Sequence, residues 1–250
     1  MLTRDQVLDE LELLTTVEHA LVVEHLTVGC ALGHDLLPEE GGATSDAGRD
    51  GASTASSLAQ DEMRHLRRLN EVLVAAGRSS RMDRAVEILD ASGASVPLEP
   101  PTADQLADLL GREKRIGVAV DEHYRRLLPA VTTAPVFEGD LLEHVRSVVE
   151  GGPTHTDGYL RLRDALGEPV PPDVLRVTRR EPAESFEERL LGVSDRLYRT
   201  VLEALGHRFA QTDFFVAAAF GSLAVDTMMG PLDDSLRLLV QRGLLPSFNP

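Results

Sequence analysis

The stretch Asp61-Glu62-Met63-Arg64-His65-Leu66-Arg67-Arg68-Leu69-Asn70 decides the fold predicted for this chain. Apolar residues recur in and around it at helical spacing, namely Leu58, Met63, Leu66, Leu69, Val72 and Leu73. Glu62 and His65 are three positions apart, so they share one face of that helix beside the apolar stripe. The stretch therefore predicts a helix that directs a carboxylate and an imidazole towards one point.

A Glu-x-x-His pair on a helix has two interpretations. Helical bundles bind pairs of metal ions through one such pair from each of two helices and one Glu from each of two others. The same residue types also occur by chance on solvated helix faces. The motif indicates a metal site only if other helices supply further ligands.

The composition favours an all-α, soluble protein. The 250 residues include no Trp and only 4% aromatic residues, which suits helices with a Leu, Val and Ala core better than strands. The net charge of −16 argues against nucleic acid and anionic membranes as partners.

The remaining compositional signals favour the cytoplasm. The single cysteine, Cys30, cannot form an intramolecular disulfide and is interpreted as a small buried hydrophobe. Acidic residues follow the first few positions at once, which is not typical of a secretory signal. The sequence analysis predicts no membrane span, since no window approaches the roughly 20 apolar residues required.

Hydrophobic periodicity predicts six main helices. They cover about residues 5–37, 55–76, 102–128, 138–166, 186–209 and 213–242. The first four form a predicted four-helix bundle in residues 1–166, a Pro-rich linker follows at 167–185, and two further helices in 186–250 pack on the bundle. A Gly-rich loop is predicted over 39–54 and a short helix around 82–89.

Carboxylates near the apolar stripes are the candidate ligands of the other helices. Glu18 falls between Leu14 and Leu21 in the first helix, where a buried carboxylate requires a cation, a proton or a partner such as Arg. Spacing alone makes Glu122 the candidate ligand of the third helix. Glu24 and His25 are second candidates on nearby turns.

The fourth predicted helix contains a break between Glu150 and His155. Two Gly and one Pro separate them, and a regular helix prefers neither residue type. A local bulge would bring both side chains to one face. Alternatively, two shorter helices meet at a turn and the two side chains diverge.

Three segments carry a resemblance to a known family. They are Val17-Glu18-His19-Ala20, Glu62-Met63-Arg64-His65-Leu66 and Val149-Glu150-Gly151-Gly152. They resemble conserved elements of a bacterial ferritin-like family that includes the iminophenyl-pyruvate dimer synthase (VioB-like) domain. The resemblance extends over nearly the whole chain. The chain departs from the family pattern at Glu24-His25 and at Pro153.

The resemblance implies a metal site and an activity. The implied site is lined by Glu18, Glu62, His65, Glu150 and His155. The implied activity is a non-haem iron oxidase or oxygenase, with two irons, that acts on a small organic substrate in specialised-metabolite biosynthesis. Manganese suits the same carboxylate and imidazole ligands.

Other functions stay open at this point. One is a non-catalytic metal-binding or iron-handling protein, and another is a metal-free helical partner in a biosynthetic complex. Haem bound through His19 or His25 is a further alternative. A homodimer is one expected assembly.

Overall fold

The computed structural model describes residues 2–33, 45–98, 108–152, 154–171 and 174–249. It is 71% helical, and its strands form one two-stranded sheet. The all-α fold class predicted from composition and periodicity is confirmed. The four-helix bundle and its ferritin-like character stay predictions.

The helices and strands of the described residues are as follows. The helices are α1 (Arg4–Ala31), α2 (Asp46–Ala75), α3 (Leu109–Val131), α4 (Gly139–Gly151), α5 (His155–Leu166), α6 (Ser185–Ala210), α7 (Phe214–Thr227) and α8 (Asp233–Gln241). The π-helical turn Met228–Leu232 joins α7 to α8. The antiparallel strands are β1 (Glu87–Leu89) and β2 (Ser95–Pro97).

The first helix is the most buried element of the N-terminal half. Leu11, Leu14 and Val17 are completely inaccessible to solvent, and most residues from 14 to 31 are buried on every side of the helix. A helix that is buried on every side lies inside a core. The chain leaves it at Gly33, whose φ of 80° suits a residue without a Cβ atom.

Two sequence predictions about where helices begin and end are wrong. The Gly-rich stretch predicted as a loop over 39–54 is helical from Asp46 onwards, while residues 34–44 lie outside the described residues. Close packing accounts for the glycine within this helix, since a Cβ atom on Gly51 would lie 2.3 Å from the side chain of Leu166. The third helix continues through Pro129 to Val131, and its predicted start at Thr102 is likewise not described.

The predicted short helix around 82–89 is instead a coil that leads into a β-hairpin. Ile88 and Val96 point into the core from the two strands while their neighbours are exposed. The Asp90 carboxylate accepts hydrogen bonds from the backbone of Ser92 and Ala94 and so closes the turn. Two strands with alternating burial therefore replace a helical turn here.

The chain divides into two compact units. One contains residues 1–22, 58–99 and 109–161, and the other contains residues 23–57, 100–108 and 162–250. This division crosses the predicted boundary at residue 166. The first unit has a core of aliphatic side chains from α1, α2, α3, α4 and the hairpin. The second unit has its own core, which includes Tyr198, Val201 and Phe248.

The continuous helical segment Phe214–Gln241 in the second unit is long and apolar enough to cross a membrane, by length and composition only. In the structure, 22% of its most apolar window is buried. No such segment was predicted from the sequence, where no window approaches the roughly 20 apolar residues of a membrane span.

The hairpin of the first unit is held by His123 of α3. One ring nitrogen of His123 bonds to the Glu10 carboxylate of α1, and Nε2 donates to the Leu89 carbonyl at 2.8 Å. The hydrogen bond to Glu10 is the main factor that raises the pKa of His123. Burial alone would raise the pKa of Glu10, but His123 and Arg126 lower it. The imidazolium therefore connects α1, α3 and β1.

We expect this contact to stabilise the fold within a limited pH window. The contribution of His123 is fully present below its unfolded pKa near 6.5 and is lost as pH rises through its higher folded value. The contribution of Glu10 is present above 4.5 and is lost as pH falls through its lower folded value. Urea unfolding should show that His123→Gln loses less stability than wild type between pH 6 and pH 9. An unchanged pH dependence would contradict this, and the exposed His144→Gln is the control.

Candidate metal centre

Four side chains of the first unit converge on one buried point. They are Glu18, Glu62, His65 and His155, and each offers one ligand atom within 4.8 Å of the others. The approach of Glu18 to Glu62, predicted from the sequence across 44 positions, is therefore present. These residues come from α1, α2 and the first position of α5.

Helix α2 contributes its two ligands from one face. Glu62 is 3% exposed, and the side chain of His65 is 17% exposed, so His65 is the one member of the group near solvent. The Nδ1 atom of His65 lies 3.4 Å from the nearer Glu62 carboxylate oxygen, in keeping with their i,i+3 spacing. The sequence period of this helix thus positions both groups.

Helix α1 contributes Glu18 from the centre of the first unit. Its side chain is completely buried. One carboxylate oxygen accepts a hydrogen bond from the Tyr124 hydroxyl at 2.5 Å, and the other lies 3.6 Å from Nδ1 of His65. This meets the requirement, read from the sequence, that a buried carboxylate has polar partners.

His155 is positioned by Asp121 of α3. The Asp121 carboxylate accepts bonds from the backbone N–H groups of His155 and Thr156, so it caps the first turn of α5. The same carboxylate also accepts a hydrogen bond from Nδ1 of His155 at 3.1 Å. The Nε2 atom is thereby directed towards Glu18 and Glu62, at 3.4 and 3.2 Å. A carboxylate that orients a ligand imidazole in this way is common around metal ions.

Two glycines make room for this arrangement. A Cβ atom on Gly117 would lie 3.0 Å from the backbone of His155, so α3 and the start of α5 approach closely only without it. A Cβ atom on Gly152 would lie 2.2–2.5 Å from three ring atoms of Tyr124. The Tyr124 ring stacks on the His155 ring with centroids 5.8 Å apart.

The geometry of the four ligand atoms fits a metal ion. Their imidazole–carboxylate separations run from 3.2 to 3.6 Å. Ligands bound tetrahedrally at about 2.1 Å from an ion lie roughly 3.4 Å apart. The same separations of His65 from the carboxylates are long for hydrogen bonds. A donor set of oxygen and nitrogen without thiolate suits iron, manganese or zinc.

The charges of the group are strongly coupled. Burial alone would raise the pKa of Glu62, but the charge and hydrogen bond of His155 hold it well below its ordinary value. Burial alone would lower the pKa of His65, but Glu18 and Glu62 raise it to about 9. Burial has the same effect on His155, and Glu62 and Glu18 again raise its pKa, well above the ordinary value.

These shifts place positive charge beside the buried carboxylates. Without a metal ion, His65 and His155 are protonated at pH 7 and lie next to the ionised Glu62. A divalent ion that displaces both imidazolium protons leaves the total charge unchanged. Exchange of these two protons for a divalent ion therefore adds no net charge to the core.

Two predicted ligands lie outside this group. Glu122 is next to Asp121 on α3, but successive helix positions differ by about 100°, so it points away and pairs with Arg125 at 3.3 Å. Glu150 is exposed on the last turn of α4. The sequence around 150–155 allowed two interpretations. The structure shows the second one, in which two shorter helices meet at a turn.

The other histidine candidates are also elsewhere. His19 is buried, with Nδ1 3.2 Å from the carbonyl of Asp83, and burial lowers its pKa. Glu24 and His25 are buried residues of the second unit. Neither His19 nor His25 is part of the group of four.

Asp121, Tyr124, Gly117 and Gly152 contact the site, and the sequence analysis missed their roles. A usable signal existed for Gly117, because a glycine inside a strongly periodic helix often marks a close approach of another backbone. Asp121 has no local signal, since it caps a helix that begins 34 positions later.

The comparisons with known proteins add no family or function to this geometry. No protein-family model, curated protein or solved structure matches the chain.

Proposed function

We propose that this protein binds a metal ion through Glu18, Glu62, His65 and His155 and uses it to oxidise a small organic substrate, with iron as the expected metal. The observation that carries the proposal is the convergence of the four ligand atoms within 4.8 Å at a buried point. The resemblance described above adds specialised metabolism as the expected setting and a second iron as the expected partner of the first.

Buried charge supports a metal-binding role. Two carboxylates and two imidazoles in one core are costly to bury unless each is paired or binds a cation. The first unit keeps them together with the help of Asp121 and Tyr124, whose own contacts fix the positions of His155 and Glu18. Hydrogen bonds that hold the ligand side chains in place are expected where the geometry of the ligands matters for function.

Each residue has a distinct role in the proposed reaction. Glu18 and Glu62 supply oxygen ligands, and His65 and His155 supply nitrogen ligands. Asp121 keeps the proton of His155 on Nδ1, which leaves Nε2 for the metal. Burial, and then the charge of Glu18, raise the pKa of Tyr124 well above its ordinary value, so its hydroxyl stays a hydrogen-bond donor to Glu18.

Bound iron would supply the chemistry that no side chain of the group provides, namely the reaction of dioxygen with an organic substrate. The chain's own contribution is to hold the ligands in place and to keep bulk water away from three of them, since Glu18, Glu62 and His155 are buried. His65, nearer to solvent, marks the side from which a small substrate would approach.

Metal analysis with a matched pair of variants tests the site. Protein reconstituted anaerobically with Fe(II), Mn(II) or Zn(II) is desalted, and the metal per chain is measured by plasma mass spectrometry. We expect Glu62→Gln to lose the metal and Glu122→Gln to retain it, because only Glu62 belongs to the group. Equal metal content in the two variants would refute the site. Dioxygen consumption by the iron-loaded protein with a panel of small organic compounds then tests the oxidase activity.

Metal binding should also release protons. At pH 7 both imidazoles of the apoprotein are protonated, so we expect about two protons per ion to leave. The affinity should therefore rise with pH, and most steeply below about pH 9, where His65 as well as His155 still carries a proton to be displaced. An indicator dye in weakly buffered solution measures the release. Metal binding without proton release would contradict the assigned ligands.

A structural metal ion is the second candidate, and one observation favours it. The imidazole–carboxylate separations of 3.2–3.6 Å are those of a tetrahedral site, and four protein ligands can complete such a shell and leave no position for a substrate or dioxygen. Nitric oxide distinguishes the two roles, because it binds Fe(II) only at an open coordination position. A spin-3/2 resonance signal after addition of nitric oxide supports the enzyme. Its absence from iron-loaded protein supports the structural ion.

A further inference from the structure

The exposed face of α7 in the second unit is unusually apolar. Phe214 and Phe215 are 77% and 81% exposed, and Met229, just beyond the end of α7, is 73% exposed. Leu223 and Val225 are about half exposed between them. The opposite face of α7 is buried through Gly221, Ala224 and Thr227. The solvent-exposed face of α7 is therefore as apolar as a face that packs in a core.

The size of this patch is that of an interface. A phenylalanine buries about 150–250 Å² when it is covered, so Phe214 and Phe215 together present roughly 300 Å². With Leu223, Val225 and Met229 the patch reaches roughly 600 Å², the upper end of what monomeric proteins expose. Each partner of a standard interface buries about 800 Å². Covering the patch and its small residues approaches that area.

The order of residues along the helix is self-complementary. The exposed residues on one 120° sector are Phe215, Ala218, Ala219, Ser222, Val225, Asp226 and Met229. Phe215 and Met229 lie seven positions on either side of Ser222, so large side chains stand at both ends and small ones near the centre. Two copies crossing antiparallel at Ser222 would place each Phe215 against the second copy's Met229. This is the symmetry that an isologous dimer requires.

The local charge of this face is compatible with a second copy. The net charge of −16 opposes approach to an anionic membrane and to another copy alike, so the charges within the sector matter more than the total. Asp226 is the only charged residue in the sector just defined. In the antiparallel arrangement the two copies of Asp226 would lie about 12 Å apart along the axis, beyond the screening length of physiological salt. Their repulsion is therefore small.

We propose that the face of α7 around Ser222 is the interface of a homodimer in which two copies of this helix pack antiparallel. The small residues at the centre let the helix backbones approach closely, and the aromatic and Met side chains cover the ends. The interface lies within the second unit and is independent of the proposed metal function.

Solution mass and vesicle flotation test the occupant. At about 100 μM, above the micromolar dissociation constants typical of small interfaces, wild type should have twice the chain mass of 27.2 kDa. Phe215→Glu should be monomeric, while the control Val86→Glu, at another exposed apolar position, should stay dimeric. A monomeric wild type, or a dimer that survives Phe215→Glu, overturns the proposal. Monomeric protein that floats with phosphatidylcholine vesicles identifies a lipid surface instead.

Cysteine cross-linking tests the geometry. In a Cys30→Ala background, Ser222→Cys should form a disulfide-linked dimer under mild oxidation, because the two copies of position 222 meet at the centre. Phe215→Cys should not, because its two copies would lie about 21 Å apart along the axis, far beyond disulfide reach. Cross-linking at 215 but not at 222 overturns the antiparallel arrangement.

Discussion

Replacing His155 by alanine should abolish metal binding. His155 is 7% exposed, and its Nε2 lies within 3.4 Å of both Glu18 and Glu62. Changes to residues that only orient ligands already weaken metal affinity about 10–100-fold, so loss of a ligand should exceed 100-fold. Asp121→Asn, which removes the charge that orients His155, should lie in the intermediate range. Isothermal titration with the reconstituting metal measures both.

An exposed histidine of the neighbouring helix α4 provides the control. His144→Ala removes an exposed imidazole of α4 and should leave the affinity unchanged. Circular dichroism must show that His155→Ala keeps its helices, because the variant leaves two buried carboxylates with one imidazole fewer. If it unfolds, His155→Gln retains a polar side chain and provides the same comparison. Full metal affinity in a folded His155 variant would refute the ligand assignment. The sequence places His65 in a regular helix and His155 beside a break, yet the structure makes His155 the more buried of the two.

Gly152→Ala, which adds a single methyl group next to the site, should strongly destabilise the folded protein. The new Cβ atom would lie 2.2–2.5 Å from ring atoms of Tyr124, closer than van der Waals contact allows. Tyr124 cannot yield easily, since it is completely buried, bonded to Glu18 and stacked on His155. Overpacking of this kind costs about 1–3 kcal/mol, which corresponds to a fall of roughly 2–12 °C in Tm for a chain of this length.

The neighbouring glycine is a matched control. A Cβ atom on Gly151 meets nothing within 4 Å, and its φ is not positive. Gly151→Ala should therefore be neutral or slightly stabilising, by up to about 1 kcal/mol, because alanine favours helix. Differential scanning calorimetry compares the two variants. Equal melting temperatures would show that Tyr124 adapts without cost and that its position is not strictly defined.

Helical periodicity predicted most of the fold because the major helices bury one regular set of apolar residues. The pattern failed where tertiary packing outweighs local preference. Residues 46–54 are rich in small residues, yet they are helical, and Gly51 packs closely against Leu166 there. The segment Glu87–Leu89 is too short for the 3.6-residue and two-residue periods to be separated.

The site was predictable only as far as each ligand had a local signal. Glu62 and His65 share a helix face by spacing, and Glu18 interrupts an apolar stripe, so all three were found. In α3 the two carboxylates Asp121 and Glu122 are consecutive, so they point about 100° apart around the helix. Spacing selected Glu122, whereas the helix phase directs Asp121 and Tyr124 inward. His155 was paired with Glu150, but the chain turns between them and His155 begins a new helix.

The wide separation of the ligands along the chain has a consequence for synthesis. Glu18 and His155 are 137 positions apart, and ribosomes add about 5–20 residues per second. The first carboxylate therefore leaves the ribosome on the order of 10 s before the last imidazole is made. Until then the nascent chain holds an incomplete set of donors, with Glu62 and His65 as its only adjacent pair. Under the proposed function, acquisition of the metal is thus expected only after translation of the first unit.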